Sequence, residues 1–450
     1  MTHNEIPVAC IQTLAHDRAN FVPAWRRACE LIDQAGRRGA KLVVLPEGTV
    51  PAYVLGDEPV ETTLLEGAAS DVAALARRHG MTVVYGAAKV VYDKTFNAAV
   101  AIGAGGSELG YSAKRFLWHF DRRWFAAGED LAPLDTPAGR LGLFVCADGR
   151  IPSIAATLRE RGAEVLVMPT AWVTSGRDPE ALENVQADLM AAVRARENGL
   201  PLLAANKAGV EGESVAYCGK SVIFDADGKE LARANERDET VIMARIRPAR
   251  SVVARDGATS DIVRSAAGME RARIAFTDAS DPEDVARLAR LAVQADADVL
   301  IASAPAREVA SMEILVLSAE AGATQAPPAA CLRTATVDDA AIASPRGLVH
   351  ARQEGIDIFV WRTEGDAWTA RFARTRAAEL RAFVLVFAAG RAFAVDPDGA
   401  VVAGTYGEYR MATFSYDAAR TRATLVAPFT DVSEGLARVE RLREGLVTGG

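Results

Sequence analysis

An α/β sandwich of two sheets covered by helices, built twice along the chain, is the architecture this sequence predicts. Three observations lead there. Short apolar runs alternate with amphipathic stretches at helical spacing, in the order strand, helix, strand. Several runs end on a polar or reactive residue, as strands do where their carboxyl ends meet a ligand-binding edge. The same alternation starts again after residue 268, in a chain whose 450 residues exceed one ordinary domain.

Residues 8–12 form the first short strand. A helix follows over 19–37, with Phe21, Ala24, Ala28, Leu31, Ile32 and Ala35 at helical spacing. Residues 42–45 read as a buried strand that runs into Pro46-Glu47. A helix over 68–79 and strands over 82–86 and 97–102 come next. The segment 108–130 is crowded with Tyr111, Phe116, Trp118, Phe120, Trp124 and Phe125 around Lys114 and Asp121. Such a loop is unlike a passive linker, because aromatic side chains bury readily and would hold Lys114 in place. Residues 141–145 are a strand that meets Cys146. A helix over 154–161 and a strand over 165–168 complete that unit. A long helix over 179–198 and strands over 200–206, 220–224 and 239–246 finish this half.

The turn at Cys146 places a thiol at the carboxyl end of a strand and near a helix N-terminus, where N–H groups favour a thiolate. Taken alone, Cys146 fits a buried apolar side chain as well as a nucleophile. Glu47 fits a solvated loop charge as well as a base, and Lys114 fits a side chain that reaches to solvent.

Composition narrows the function classes. A net charge of −8 and the lack of a long basic run argue against nucleic acid or an anionic membrane as partner. No apolar run approaches a membrane span, and the N-terminus lacks the pattern of a signal peptide. Five scattered cysteines, without a C-x-x-C pair, point to a reducing cytoplasm and not to a disulfide framework. Five unclustered histidines argue against a metal centre. No metal or cofactor is expected.

Taken together, VLPEGTVPAY, YSAKRF and FVCADGRIP resemble the three motifs of the nitrilase, or carbon–nitrogen hydrolase, superfamily. Gln12, the strand at Asn97, RARENGLPLLAANKAG and GKSVIFDADGK match in the same order. The resemblance spans residues 6–250. It implies an α-β-β-α sandwich, with Glu47 as general base, Lys114 as oxyanion donor and Cys146 as nucleophile. It also implies that two such units pair face to face, and so a homo-oligomer, a dimer. Two positions depart from the pattern. Ser153 stands where many members carry glutamate after the motif's proline. Asp121 stands where many carry a second glutamate, one methylene longer.

Acyl transfer from a C–N bond needs a nucleophile, a base and donors for the oxyanion. Cys146, Glu47, and Lys114 with the Ala147 N–H would supply them, and Asp121 would support the lysine. Nitrile-hydrolysing members usually carry tryptophan and glutamate directly after the cysteine, whereas this chain has Ala147-Asp148. C-x-D-x-R-x-P resembles the amidase and carbamoylase branches. The expected activity is therefore hydrolysis of a small amide or carbamoyl compound. Nitrile hydrolysis, acyl transfer to an amine, and a scaffold with a vestigial triad are the competing possibilities. Pocket walls are expected from 53–61 and 173–179.

The expected domains are an active unit over 1–250, a linker over 251–268 and a degenerate copy over 269–450. Aligning Pro345 with Pro152 and Gly355 with Gly162 needs no gap and puts Asp339 at the cysteine position. Ser303-Ala304 stands where Pro46-Glu47 stood, and the lysine loop has no counterpart.

Overall fold

The structure is a computed structural model and describes residues 5–174, 182–249, 269–303, 315–318 and 332–448. The chain divides into two units, each a helix-flanked pair of sheets. The linker expected over 251–268 lies outside the described residues.

Unit 1 contains, in order, β1 (Ile6–Leu14), α1 (Phe21–Arg37), β2 (Leu42–Val44), α2 (Thr62–His79), β3 (Thr82–Val91), β4 (Lys94–Ile102), β5 (Glu108–Ala113) and α3 (Asp121–Trp124). It continues with β6 (Leu134–Thr136), β7 (Gly139–Leu143), α4 (Pro152–Glu160), β8 (Val165–Pro169), α5 (Ala191–Asn198) and β9 (Leu202–Ala205). β10 (Lys207–Glu211), β11 (Val215–Cys218), β12 (Val222–Phe224), β13 (Glu230–Arg233) and β14 (Thr240–Ile246) close it. One sheet has the order β11-β10-β1-β2-β3-β4-β5, with β14 paired to β1; the other has the order β13-β12-β9-β8-β7-β6.

The layering follows from side-chain alternation along the strands. Ala9, Ile11, Val43, Val83 and Val100 pack with α1 and α2 in one core. Val8, Cys10, Leu42 and Val44 on the opposite face are also fully buried. A strand buried on both faces needs the second sheet on its far side. Gln12 ties the two sheets together: its Nε2 donates to the Asn235 and Asp238 carbonyls, and its Oε1 accepts from Ser221 N. On α1 the buried stripe uses Trp25, not Ala24. The indole is large enough to reach the core, while its Nε1 donates to Asp71 at 2.9 Å.

The helix expected over 179–198 starts later. A π-turn over Gln186–Met190 leads into α5, residues 182–184 are not helical, and 179–181 lie outside the described residues.

Unit 2 contains β15 (Arg271–Thr277), α6 (Pro282–Gln294), β16 (Val299–Ala302), β17 (Leu315–Ser318), β18 (Thr334–Val337), α7 (Asp339–Ala343), α8 (Pro345–Gln353) and β19 (Ile358–Arg362). It ends with α9 (Thr369–Leu380), β20 (Phe383–Ala388), β21 (Arg391–Val395), β22 (Val401–Gly404), β23 (Met411–Asp417) and α10 (Ala418–Arg422). Its topology repeats that of unit 1. β15 pairs parallel with β16 and antiparallel with β23, as β1 does with β2 and β14. β18, β19 and β20 run parallel and continue antiparallel into β21 and β22, as β7, β8 and β9 continue into β12 and β13. Even the register slip recurs, at Ile223/Phe224 and at Ala394/Val395.

The second domain was expected to run to residue 450. Instead, from Glu434 on, helix α11 (Val432–Thr448) groups with unit 1. Its hydrogen-bonded partners there, given below, are the reason.

Candidate active site

Glu47 sits just past β2, Lys114 just past β5 and Cys146 just past β7. The fold brings these three strand ends into one buried place, where Glu47 and Lys114 have no solvent exposure. Lys114 therefore does not reach to solvent. Its Nζ lies 2.7 Å from Glu47 Oε1 and 2.6 Å from Asp121 Oδ2. The shorter carboxylate at Asp121 thus reaches the lysine. It can do so because α3 starts at Asp121, whose Oδ2 also accepts from Trp118 N at 2.8 Å.

The two oxygens of Glu47 are in different states. Oε1 accepts from Lys114 and from Asn97 Nδ2 at 2.6 Å, whereas Oε2 has no hydrogen-bond partner. The Cys146 thiol is among the groups that act on the Glu47 carboxyl. β3 passes so close behind the glutamate that a Cβ on Gly86 would overlap the Glu47 backbone, so only glycine fits there.

Cys146 is held at φ 45°, a left-handed conformation that a side chain adopts only under strain. The strain turns the chain sharply from β7 into the short turn Cys146–Arg150, and Ala147 is buried within that turn. Gln186 Nε2 donates to the Cys146 carbonyl at 2.8 Å, and Arg194 Nε donates to the Gly149 carbonyl at 2.9 Å. Asp148 binds this turn to the lysine loop. Its Oδ1 accepts from Arg115 N and Phe116 N at 2.9 and 2.7 Å, and its Oδ2 accepts from Val145 N at 3.2 Å.

Burial pushes the Cys146 thiol well up; Glu47 pushes it further and Lys114 pulls it back. Burial thus opposes the thiolate that the helix N-terminus favours, and a neighbouring base would offset it. Burial likewise pushes the Glu47 carboxyl above its ordinary range, against the pull of the Lys114 ammonium. Lys114 stays charged although burial opposes it, because Asp121 and Glu47 flank it. The three groups titrate together.

Tyr53, from the expected wall, closes one side. Its ring lies 5.7 Å from Lys114 Nζ and packs against Phe120 and Tyr217. Residues 175–179 of the other wall lie outside the described residues. Asn97 and Asp148 bond to the residues of this site, contacts that the sequence did not reveal. Their signals, an asparagine inside an apolar strand and a carboxylate two residues past the cysteine, read equally well as ordinary polar positions. Among the described residues no three His, Cys, Asp or Glu side chains converge as a metal site.

The carbon–nitrogen hydrolase profile matches residues 7–256, and the chain belongs to that family. It is a carbon–nitrogen hydrolase. It is similar to a probable nitrilase of Schizosaccharomyces pombe, 28% identical over 207 residues, which is 45% of this chain and 73% of that protein. A Pseudomonas protegens hydrolase from the region upstream of pqqF is 34% identical over 211 residues, 45% of this chain and 70% of that protein. An (R)-stereoselective amidase of a Pseudomonas species is 31% identical over 205 residues, 44% of this chain and 70% of that protein.

Proposed function

We propose that the protein hydrolyses the C–N bond of a small amide or N-carbamoyl compound through a thioester on Cys146. The observation that carries this is the divided state of the Glu47 carboxyl near Cys146: one oxygen held by Lys114 and Asn97, the other without such a partner. Cys146 Sγ attacks the carbonyl carbon while its proton passes to Glu47 Oε2. Lys114 Nζ and the Ala147 N–H stabilise the oxyanion. The intermediate collapses, the C–N bond breaks, and Glu47 returns the proton to the leaving nitrogen. A water, deprotonated by Glu47, then cleaves the thioester and frees the acid.

Amide is favoured over nitrile by the residues after the nucleophile. Ala147 is small, and Asp148 is committed to four hydrogen bonds, three to the lysine loop and one to Val145 N. An amine leaving group also needs the proton that Glu47 holds. Free Cys10, Cys29, Cys146 and Cys218 support a reducing, cytoplasmic setting. No described helix is long and apolar enough to cross a membrane. A homodimer, as in paired domains of this family, is our expectation for the working form, to be read by light scattering.

The test is a panel of matched amides, carbamoyl compounds and nitriles with common acyl groups, scored by release of ammonia or amine. Amides or carbamoyl compounds are expected to show the larger kcat/KM. Nitriles winning across the panel would overturn the preference, product appearing only with an added amine acceptor would make the protein an acyltransferase, and no turnover would favour a scaffold.

A further inference from the structure

The loops that carry Lys114 and Cys146 are held from behind by one helix far along the chain. Gly435 lies in the first turn of α11, within the part that groups with unit 1. A Cβ there would fall 2.6 Å from Cδ2 and Cε2 of Phe116 and 3.1 Å from Cδ1 of Ile151. Phe116 follows Lys114 by two positions, and Ile151 ends the turn that begins at Cys146. Both are buried, and the Phe116 amide is bonded to Asp148.

Hydrogen bonds run along the same seam. Thr430 Oγ1 accepts from His119 N at 2.6 Å, inside the segment between Lys114 and Asp121. Arg438 Nη2 donates to the Gly128 carbonyl at 3.2 Å, and Gly128 N in turn bonds to the Lys114 carbonyl at 2.8 Å. Ser153, which departs from the family pattern, donates its hydroxyl hydrogen to Glu440 of α11. Arg443 pairs with Glu160 at 3.1 Å at the other end of α4. The contacts thus fall on the lysine loop and on the helix that follows the nucleophile. Glycine is otherwise a poor residue inside a helix, so its presence at this close approach has a packing reason.

We infer that Gly435 is a positioning residue for Lys114 and Cys146, and that Thr430 with residues 434–443 forms a brace on which turnover depends. This rests on the catalytic roles proposed above. The test uses the full chain. Gly435→Ala is expected to lower kcat at least about tenfold on the best amide, since a small displacement of reacting groups costs rate steeply. KM should change less than about twofold if ground-state binding is untouched. Adding Phe116→Leu makes room for the methyl and should restore kcat to that of Phe116→Leu alone. Carbamidomethylation of Cys146 by iodoacetamide, which needs no turnover, should slow with Gly435→Ala and recover in the double variant.

A folded Gly435→Ala protein with unchanged kcat and alkylation rate overturns the inference, as does a double variant no better than the single one. If wild type turns over no amide, the functional proposal fails, while the alkylation rates still decide the brace. Should Gly435→Ala not fold, Thr430→Ala takes its place; it removes the acceptor for His119 N together with a local bond to the Pro428 carbonyl, and unchanged rates there are equally decisive.

Discussion

Arg194 in unit 1 and Arg376 in unit 2 do the same structural work beside very different neighbours. Each pairs with a glutamate three residues on, Arg194 with Glu197 at 2.7 Å and Arg376 with Glu379 at 2.5 Å, and both pairs are buried. Each donates Nε to a carbonyl in the segment that follows the first parallel strand of its sheet, Gly149 at 2.9 Å and Ile342 of α7 at 2.8 Å. Each helix then ends in a left-handed residue, Gly199 at φ 59° and Arg381 at φ 53°. The second unit keeps that backbone although arginine costs about 1–2 kcal/mol there.

What has not been kept is the chemistry. The turn after β7 carries Cys146, while α7 opens with Asp339. The loop after β2 carries Glu47, while β16 leads into Ser303. These strand ends in unit 2 line a cavity of about 550 Å³ with Asp278, Ser303, Asp338, Asp339 and Arg362. We read unit 2 as a copy that retains its scaffold without the three reacting groups. The sandwich requires the arginine brace and the parallel strands; it does not require what sits at their carboxyl ends.

The sharpest way to break this comparison is at the nucleophile. Cys146→Ala should lower kcat about a thousandfold or more with little change in melting temperature. Asp339→Cys in that background should restore nothing. Retention of more than a few per cent of activity in the first variant, or recovery in the second, would show that chemistry is not confined to unit 1.

A smaller effect separates scaffold from site. Arg194→Met and Arg376→Met should each cost about 3–5 kcal/mol, because each breaks a buried ion pair by removing one partner. Only Arg194→Met should lower kcat of the folded fraction, since its partner carbonyl lies in the nucleophile turn. Urea unfolding and kcat measured on the same samples check both halves.

The smallest effect is on pH dependence. Glu47 must be ionised to take the thiol proton, and burial raises its carboxyl, so kcat/KM should fall on the acid side above the ordinary carboxylate range. Asp121 adds to that rise. Asp121→Asn should therefore lower the Glu47 value and move the acid limb to lower pH. A limb that stays or moves up would show that the two carboxyls are not coupled as their shared lysine implies.

Much of unit 1 was legible because apolar runs ended on Glu47 and Cys146, and because an aromatic loop enclosed Lys114. The hairpin β10–β11 was not, because it hides charge. Lys207 and Glu211 pair at 2.9 Å with no solvent exposure, and such residues read as a polar loop. Asn97 and Asp148 act across sequence separations of 50 and 33 residues, which local periodicity does not report. The π-turn at 186–190 was not legible either, since its extra residue per turn blurs the helical period. Gly435 was the least legible, since only the Phe116 ring against it gives the residue a meaning.

The contact between His119 and Thr430 spans 311 residues. Such contacts close large loops and form late. During synthesis the N-terminal unit folds first, with Glu47, Lys114 and Cys146 already present. Its lysine loop acquires Thr430, Gly435 and Arg438 only after the whole of unit 2 has been made. The order of translation thus separates having the reacting residues from having them held, and a chain cut short within unit 2 would carry the first without the second.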